Sequence, residues 1–252
     1  MTLIVENAFL CGADGLVQSG AQIWFHFQKY PWDLFCQEKN PGAGKHRRII
    51  ESRLRKGLPE PSDASLLSGT YHSGISPHIY SYYHLLTDLL PHLIEAPRNP
   101  VLVPEFMPQS FIEFLKHAQF EVKILPRGTV KVELLYIPEM DLPEWSSEKV
   151  KKIQTFFENL LPRNFQVGSN CPIPLKRIYV SRKMAVRRHL SNEDEFMPLL
   201  RKHNFRKVYL EKMTIMEQVE LFRTASHVIA AHGAGLTNVL FAPENTRILE
   251  IR

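Results

Sequence analysis

The chain has 252 residues, 44% hydrophobic and 23% charged, with a net charge of +5. This is the make-up of a soluble globular protein of one large or two modest domains, with enough core to do without metals or disulfides. Three widely spaced cysteines with no Cys-x-x-Cys pair argue against structural zinc and suit a reducing compartment, and no run of about 20 apolar residues is present to span a membrane.

The opening "MTLIVENAFLCGADG" has no basic leader and its apolar run is broken by Glu6 and Asn7, so it reads as a strand and not a signal peptide. "AQIWFHF" predicts a second strand, "QEKNPGAGKHRRIIESRLRKG" a basic loop running into an exposed helix, and "SLLSGTYHSG" a strand and turn. "SPHIYSYYHLLTDLLPHLIE" predicts a helix with Ser76 as N-cap and Pro77 at its first position. At about 100° per residue, Ile79, Tyr83, Leu86, Leu90 and Leu93 share one face, Ser81, His84 and Asp88 the opposite one, and Pro91 should kink or end the helix. "NPVLVPE", "EVKILP" and "VKVELLYIP" follow as strands, with helices at "PQSFIEFLKHAQ" and "SSEKVKKIQTFFENLL".

Residues 162–176 hold three prolines and Gly168 without a period, which marks them as a linker between domains at 1–161 and 177–252. The second part is regular. Strands at "RIYVS", "RKVYL", "HVIAA" and "RILEI" alternate with helices, two of them opened by capping-box patterns at Asn192/Glu195 and Thr214/Glu217. Four strands separated by three helices imply an α/β fold with right-handed crossovers and a parallel sheet, which binds ligands beyond the carboxyl ends of its strands.

Two loops fall at such ends. In "AAHGAGLTNVLF", Gly233 and Gly235 can adopt positive φ and let a ligand approach the backbone. The helix that follows points free N–H groups and its positive end at the turn, and Thr237 and Asn238 add donors. His232 either bonds a phosphate or pins the turn through a backbone carbonyl. In "YVSRKMAVRRHLSNEDE", Ser181, Arg182, Lys183, Arg187 and Arg188 form a basic strand-to-helix loop whose guanidinium forks match phosphate oxygens. A glycine loop and an arginine loop on one sheet edge can meet on a diphosphate. A third candidate is the His84/Asp88 pair, i,i+4 neighbours able to form a general base in which either group abstracts the proton. P-loop, zinc-protease and serine-hydrolase motifs are absent, as is an Asp-x-Asp for a metal-bound diphosphate. No basic strand interleaved with aromatics is present to stack nucleic-acid bases, which sets nucleic acid aside as a partner.

These stretches resemble glycosyltransferase family 61. "HVIAAHGAGLTNVLFAPENTRILEI" is similar to its His-Gly-Ala-Gly-Leu-Thr-Asn signature, "RIYVSRKMAVRRHLSNEDE" to its Ser-Arg…Arg…Asn-Glu-Asp stretch, "EQVELFRTA" to its Glu-Gln helix, and "YYHLLTDLLPHL" to its Tyr-Tyr-His…Leu-Pro-Arg-Leu stretch. His92 stands where the family often has arginine, and the sequence stops at Arg252 where members usually continue. The resemblance implies a GT-B-like fold, with two Rossmann-like halves whose parallel sheets face across a cleft. It implies inverting, metal-independent transfer of a sugar from a nucleoside diphosphate sugar to a glycan or related acceptor, in bacterial polysaccharide assembly, with no cofactor. The setting would be cytoplasmic, with peripheral contact to an anionic membrane surface as a further partner class. By the same resemblance, residues 1–161 form the acceptor side and carry the base, Asp88 or His84. The nucleotide-sugar contacts would be Ser181, Arg182, Lys183, Arg188, His232, Gly233, Ala234, Gly235, Leu236, Thr237, Asn238 and Glu250. A binding module without catalysis, taking a nucleotide or polyanion through the same loops, is the competing reading.

Overall fold

A computed structural model describes residues 2–12, 15–19, 22–25, 28–31, 64–75, 78–125, 127–138, 146–161, 175–185 and 188–252. The basic segment 37–57, residues 162–174 of the expected linker 162–176, and the positions of Ser76, Pro77 and Arg187 lie outside them. The chain divides into two compact units, Met1–Glu144 and Trp145–Arg252.

The first unit is built on an eight-stranded sheet. Its strands are β1 (Thr2–Cys11), β2 (Val17–Ser19), β3 (Gln22–Phe25), β4 (Gln28–Pro31), β5 (Ser65–Ser73), β6 (Val101–Pro104), β7 (Val122–Leu125) and β8 (Thr129–Pro138). They lie in the order β4-β3-β2-β1-β8-β5-β6-β7. The strands β8, β5, β6 and β7 are mutually parallel, while β1 runs antiparallel to β8 and β2 to β4 continue as an antiparallel meander. This sheet is therefore mixed, where a purely parallel one was expected. β2 and β4 were not expected at all, since strands of three and four residues are too short to display an alternation.

Three neighbouring strands change phase at one level of this sheet. Asn7 takes a left-handed backbone (φ 48°), the β5 register slips between Leu67 and Thr70 around Gly69 (φ 101°), and the Gly69 N–H donates to Glu133 of β8 at 2.7 Å. Val5 on one side of this level and Ala8 and Leu10 on the other thereby all turn into the core, with Val130, Val132, Leu135 and Ile137 of β8. β6 is buried along its whole length, as a parallel strand covered on both faces should be.

Helix α1 (Tyr82–Glu95) follows β5, and α2 (Gln109–His117) joins β6 to β7. The flanking N-cap of α1 is Ser81, not Ser76, and the helix widens to a π turn over Leu85–Leu89 before Pro91. That turn accommodates the proline: with i→i+5 bonding before it, the ring meets no α-helical carbonyl, and the chain stays helical to Glu95. It also shifts the buried face. Leu85, Leu86, Thr87, Leu89 and Leu90 are all buried, so Asp88 lies among inward residues and not on a solvated surface.

The second unit has a four-stranded, all-parallel sheet of β9 (Arg177–Val180), β10 (Arg206–Val208), β11 (His227–Ala231) and β12 (Arg247–Ile251), in the order β10-β9-β11-β12. Helices α4 (Glu193–Lys202) and α5 (Ile215–Thr224) make two crossovers, and a 3-10 helix, Ala234–Phe241, makes the third where an ordinary short helix was expected. The Thr214/Glu217 capping box forms at α5. At α4 the box does not form, because Asn192 sits at φ −109°, ψ 27°, outside the extended region a cap requires. Glu193, Asp194 and Glu195 in the first turn and Arg201 and Lys202 in the last still complement the α4 dipole.

Helix α3 (Ser147–Leu160) also belongs to this unit. Ring centroids of Phe157 and Phe241 lie 4.8 Å apart, and Gln154 Nε2 donates to the Leu240 carbonyl. The expected boundary after Leu161 assigned this helix to the first domain. Proline-rich composition marks where regular structure stops, whereas the apolar side of a helix decides where it packs. Among the described residues no helix is long and apolar enough to cross a membrane.

Candidate functional site

In the second sheet β9 connects outward to β10, and the chain then returns past β9 to lay β11 on its other side. Strand order reverses between β9 and β11, which opens a crevice at their carboxyl ends. The arginine loop leaves β9 there and the Gly-Ala-Gly turn leaves β11.

The two loops touch. A Cβ placed on Gly233 would lie 2.0 Å from Arg182 Nη1 and 2.7 Å from Cζ, so the guanidinium rests on the bare glycine. Gly233 has an extended backbone (φ 164°), and the only glycines with left-handed backbones among the described residues are Gly15 and Gly69. The positive φ expected at Gly233 and Gly235 is thus not what these glycines supply. Gly233 makes room for Arg182, and Gly235 for Leu210 Cδ1, which a Cβ would meet at 2.8 Å. The 3-10 helix begins at Ala234, so its first N–H groups lie on the same edge.

The floor of the arginine loop is polar and closed. Ser181 is buried, and its Oγ accepts from Lys183 N at 3.2 Å. Beneath it the Glu193 carboxylate pairs with Lys207 at 3.0 Å. Burial pushes the Glu193 carboxyl upward, but hydrogen bonds from Ser181, Lys207 and Tyr179 and the Lys207 charge hold it below the usual range. The Tyr179 hydroxyl is pushed up by burial and by that carboxylate. Lys183 pairs with Asp194 at 3.3 Å, and His189 Nδ1 donates to the Arg182 carbonyl at 2.9 Å, tying the loop's far side to the guanidinium-bearing residue. Arg188 is exposed and holds a left-handed backbone (φ 62°), uncommon for so large a side chain.

Thr237 and Asn238, expected as ligand donors, are buried. The Asn238 amide donates to Gln218 Oε1 and to the Gly235 carbonyl, both at 3.1 Å, while Gln218 Nε2 donates to the carbonyls of Leu210 and Met213. Gln218 thus links α5 to the turn. In the sequence it stood in the Glu-Gln helix of the family resemblance, with no role assigned to its side chain. Leu236 N closes the turn onto the Gly233 carbonyl at 3.0 Å. His232 pins the turn as well, but through a side chain: its Nδ1 is hydrogen-bonded to Glu250, whose other oxygen is held by Arg252 at 2.9 Å.

In the first unit the strand order reverses between β8 and β5, and α1 rises from the loop after β5. His84, in its first turn, donates Nδ1–H to Asp88 Oδ2 at 2.7 Å. Thr87 Oγ1 donates to Asp88 Oδ1 at 2.6 Å. Both carboxylate oxygens are therefore engaged, and the Asp88 side chain is only 5% exposed against 28% for His84. The ring of His78 stacks on His84 with centroids 4.9 Å apart and 23° between planes. Neither Thr87 nor His78 was singled out in the sequence.

His92 faces inward from the same helix. The Pro97 carbonyl can only accept, so His72 Nε2–H donates to it at 2.6 Å and His72 Nδ1 accepts from His92 Nε2–H at 3.2 Å. Both rings are neutral. Burial, with the neighbouring His72, lowers His92 to about 3, and burial lowers His72 despite its bond to Pro97. Among the described residues no group of three His, Cys, Asp or Glu side chains converges as a metal site requires.

Comparison with known proteins matches residues 82–249 to the family model Glycosyltransferase 61. The chain is also similar to the EGF domain-specific O-linked N-acetylglucosamine transferase of Drosophila melanogaster, at 32% identity over 99 residues, which is 38% of this chain and 19% of that protein. The chain thus spans about a fifth of the length of the relative it matches. The family match takes in two thirds of the chain, from α1 with His84 and Asp88 to β12: this chain belongs to glycosyltransferase family 61.

Proposed function

We propose that this chain transfers a sugar from a nucleoside diphosphate sugar to an acceptor hydroxyl, with inversion and without a metal. The observation that carries the reading is the Arg182 guanidinium lying on Gly233 at the sheet's switch point. A departing diphosphate develops charge in the transition state, and fixed cations and backbone N–H groups aimed at it lower the barrier without rearranging. Arg182, with Arg188 in the same loop and the first N–H groups after Gly233, supplies them where a metal would otherwise be needed. In this reading the second unit holds the donor and the first the acceptor, in a GT-B-like pair of halves acting in the cytoplasm.

The acceptor proton goes to His84. With Nδ1–H donated to Asp88, Nε2 is the unprotonated ring nitrogen of His84 and takes the acceptor proton, and Asp88 stabilises the imidazolium that results. Asp88, closed in by Thr87 and nearly buried, is the orienting partner. A glycan in polysaccharide assembly is the acceptor class that the family resemblance implies. The name of the similar Drosophila protein favours a second class, a hydroxyl on a folded protein domain.

Turnover of a panel of nucleoside diphosphate sugars, with glycan and protein acceptors offered separately, tests this. Wild-type chain should release nucleoside diphosphate and label one acceptor class, unaffected by a chelator. His84→Ala should lower kcat by about 10²–10⁴-fold with donor affinity unchanged. Donor binding with no turnover on any acceptor identifies a binding module instead, and full activity in His84→Ala removes it as the base.

A further inference from the structure

His232 follows β11 and precedes Gly233, the glycine on which the Arg182 guanidinium rests. Its ring is fixed from one side. Nδ1 meets Glu250 Oε1, and Arg252 brings both Nε and Nη2 to Glu250 Oε2 at 2.9 Å, leaving Oε1 to the histidine. Hydrogen bonds from His232 and then Arg252 hold the Glu250 carboxyl below its ordinary range, so it is ionised and can only accept. Nδ1 must then carry its hydrogen, and Nε2 across a half-exposed ring is the atom offered to a ligand.

We propose that Nε2 takes a proton from solvent when a nucleoside diphosphate binds and donates it as an N–H···O bond to a phosphate oxygen, with Glu250 and Arg252 as positioning residues. This rests on the diphosphate reading above and adds a proton to it. Glu250 of β12 and the incoming phosphate favour the imidazolium, while Arg252, bound to the same carboxylate, opposes it. The bound phosphate brings a negative charge to Nε2, the ring atom that Glu250 leaves unprotonated. The proton returns to solvent on release, so the spent diphosphate leaves more readily as pH rises. Glu250 becomes an orienting group for His232 and not a sugar contact, and Arg252 joins the site.

Calorimetric titration of the full chain with uridine, guanosine, cytidine and adenosine diphosphates, in buffers of different ionisation enthalpy, reads this directly. At about pH 8 the terminal phosphate is already ionised, so any net uptake belongs to the protein. The wild-type chain should show net proton uptake with the diphosphate it binds. His232→Gln should abolish the uptake and weaken binding roughly tenfold to a hundredfold, and Glu250→Gln should reduce the uptake with a smaller loss of affinity. Binding without uptake, or uptake that survives His232→Gln, overturns the proposal while leaving the diphosphate site standing. Failure of all four diphosphates to bind overturns the site reading and this one with it.

Discussion

Gly233 shows how one atom decides a site. The guanidinium of Arg182 occupies the space a Cβ would fill, so the glycine is required by its neighbour and not by its backbone angle. Gly233→Ala should therefore leave the fold intact, since the displaced group is the end of a flexible side chain, yet weaken nucleoside diphosphate binding about tenfold by moving the charge. Equal thermal unfolding with reduced calorimetric affinity is the expected pair of results; unchanged affinity would mean that the guanidinium position is immaterial. Neighbouring residues divide in the same physical way. Asn238 and Ser181 are of ligand-binding types and lie in the right loops, but burial commits them to Gln218, Gly235 and Lys183. Residue type and loop position were legible in the sequence, whereas which way a short polar side chain turns depends on partners distant in the chain.

At the scale of elements, α1 departs furthest from its helical-wheel reading. Regular 100° steps put Asp88 opposite the apolar stripe, and the π turn at Leu85–Leu89 carries it inward to Thr87 while keeping His84 within 2.7 Å. No periodicity reveals a widened turn in advance, although Pro91 three residues past Asp88 is where one is needed. Two turns on, His92 anchors the same helix through neutral His72. An unfolded histidine binds a proton below about pH 6.5, while folded His92 resists doing so until about 3. The unfolded state thus binds more protons across that window, and stability falls as pH drops through it. His92→Gln keeps a donor for His72 without titrating, so melting temperature should fall less steeply between about pH 6.5 and pH 4.5 than in the wild-type chain. Identical slopes would show that His92 is not held neutral.

At the scale of the molecule, the second unit was the more legible. Its strands alternate with helices, and crossover handedness leaves few topologies, so the parallel sheet and the strand ends from which the two loops leave followed from pattern alone. The first unit was less so. Its meander strands are too short to show a period, and its phase change needs Asn7, Gly69 and Glu133, residues that meet only after β1, β5 and β8 are paired. The unit boundary followed contacts that composition does not encode, with Phe157 set against Phe241 across the proline-rich segment.

Binding of a nucleoside diphosphate at the switch point of the second sheet through Arg182 is read by calorimetric titration of the full chain and its Arg182→Ala variant with the preferred diphosphate. Saturable binding that the substitution weakens by about 1.5–3 kcal/mol, the range for a hydrogen bond to a charged group, is expected. Equal affinity in the two proteins would remove Arg182 from the site.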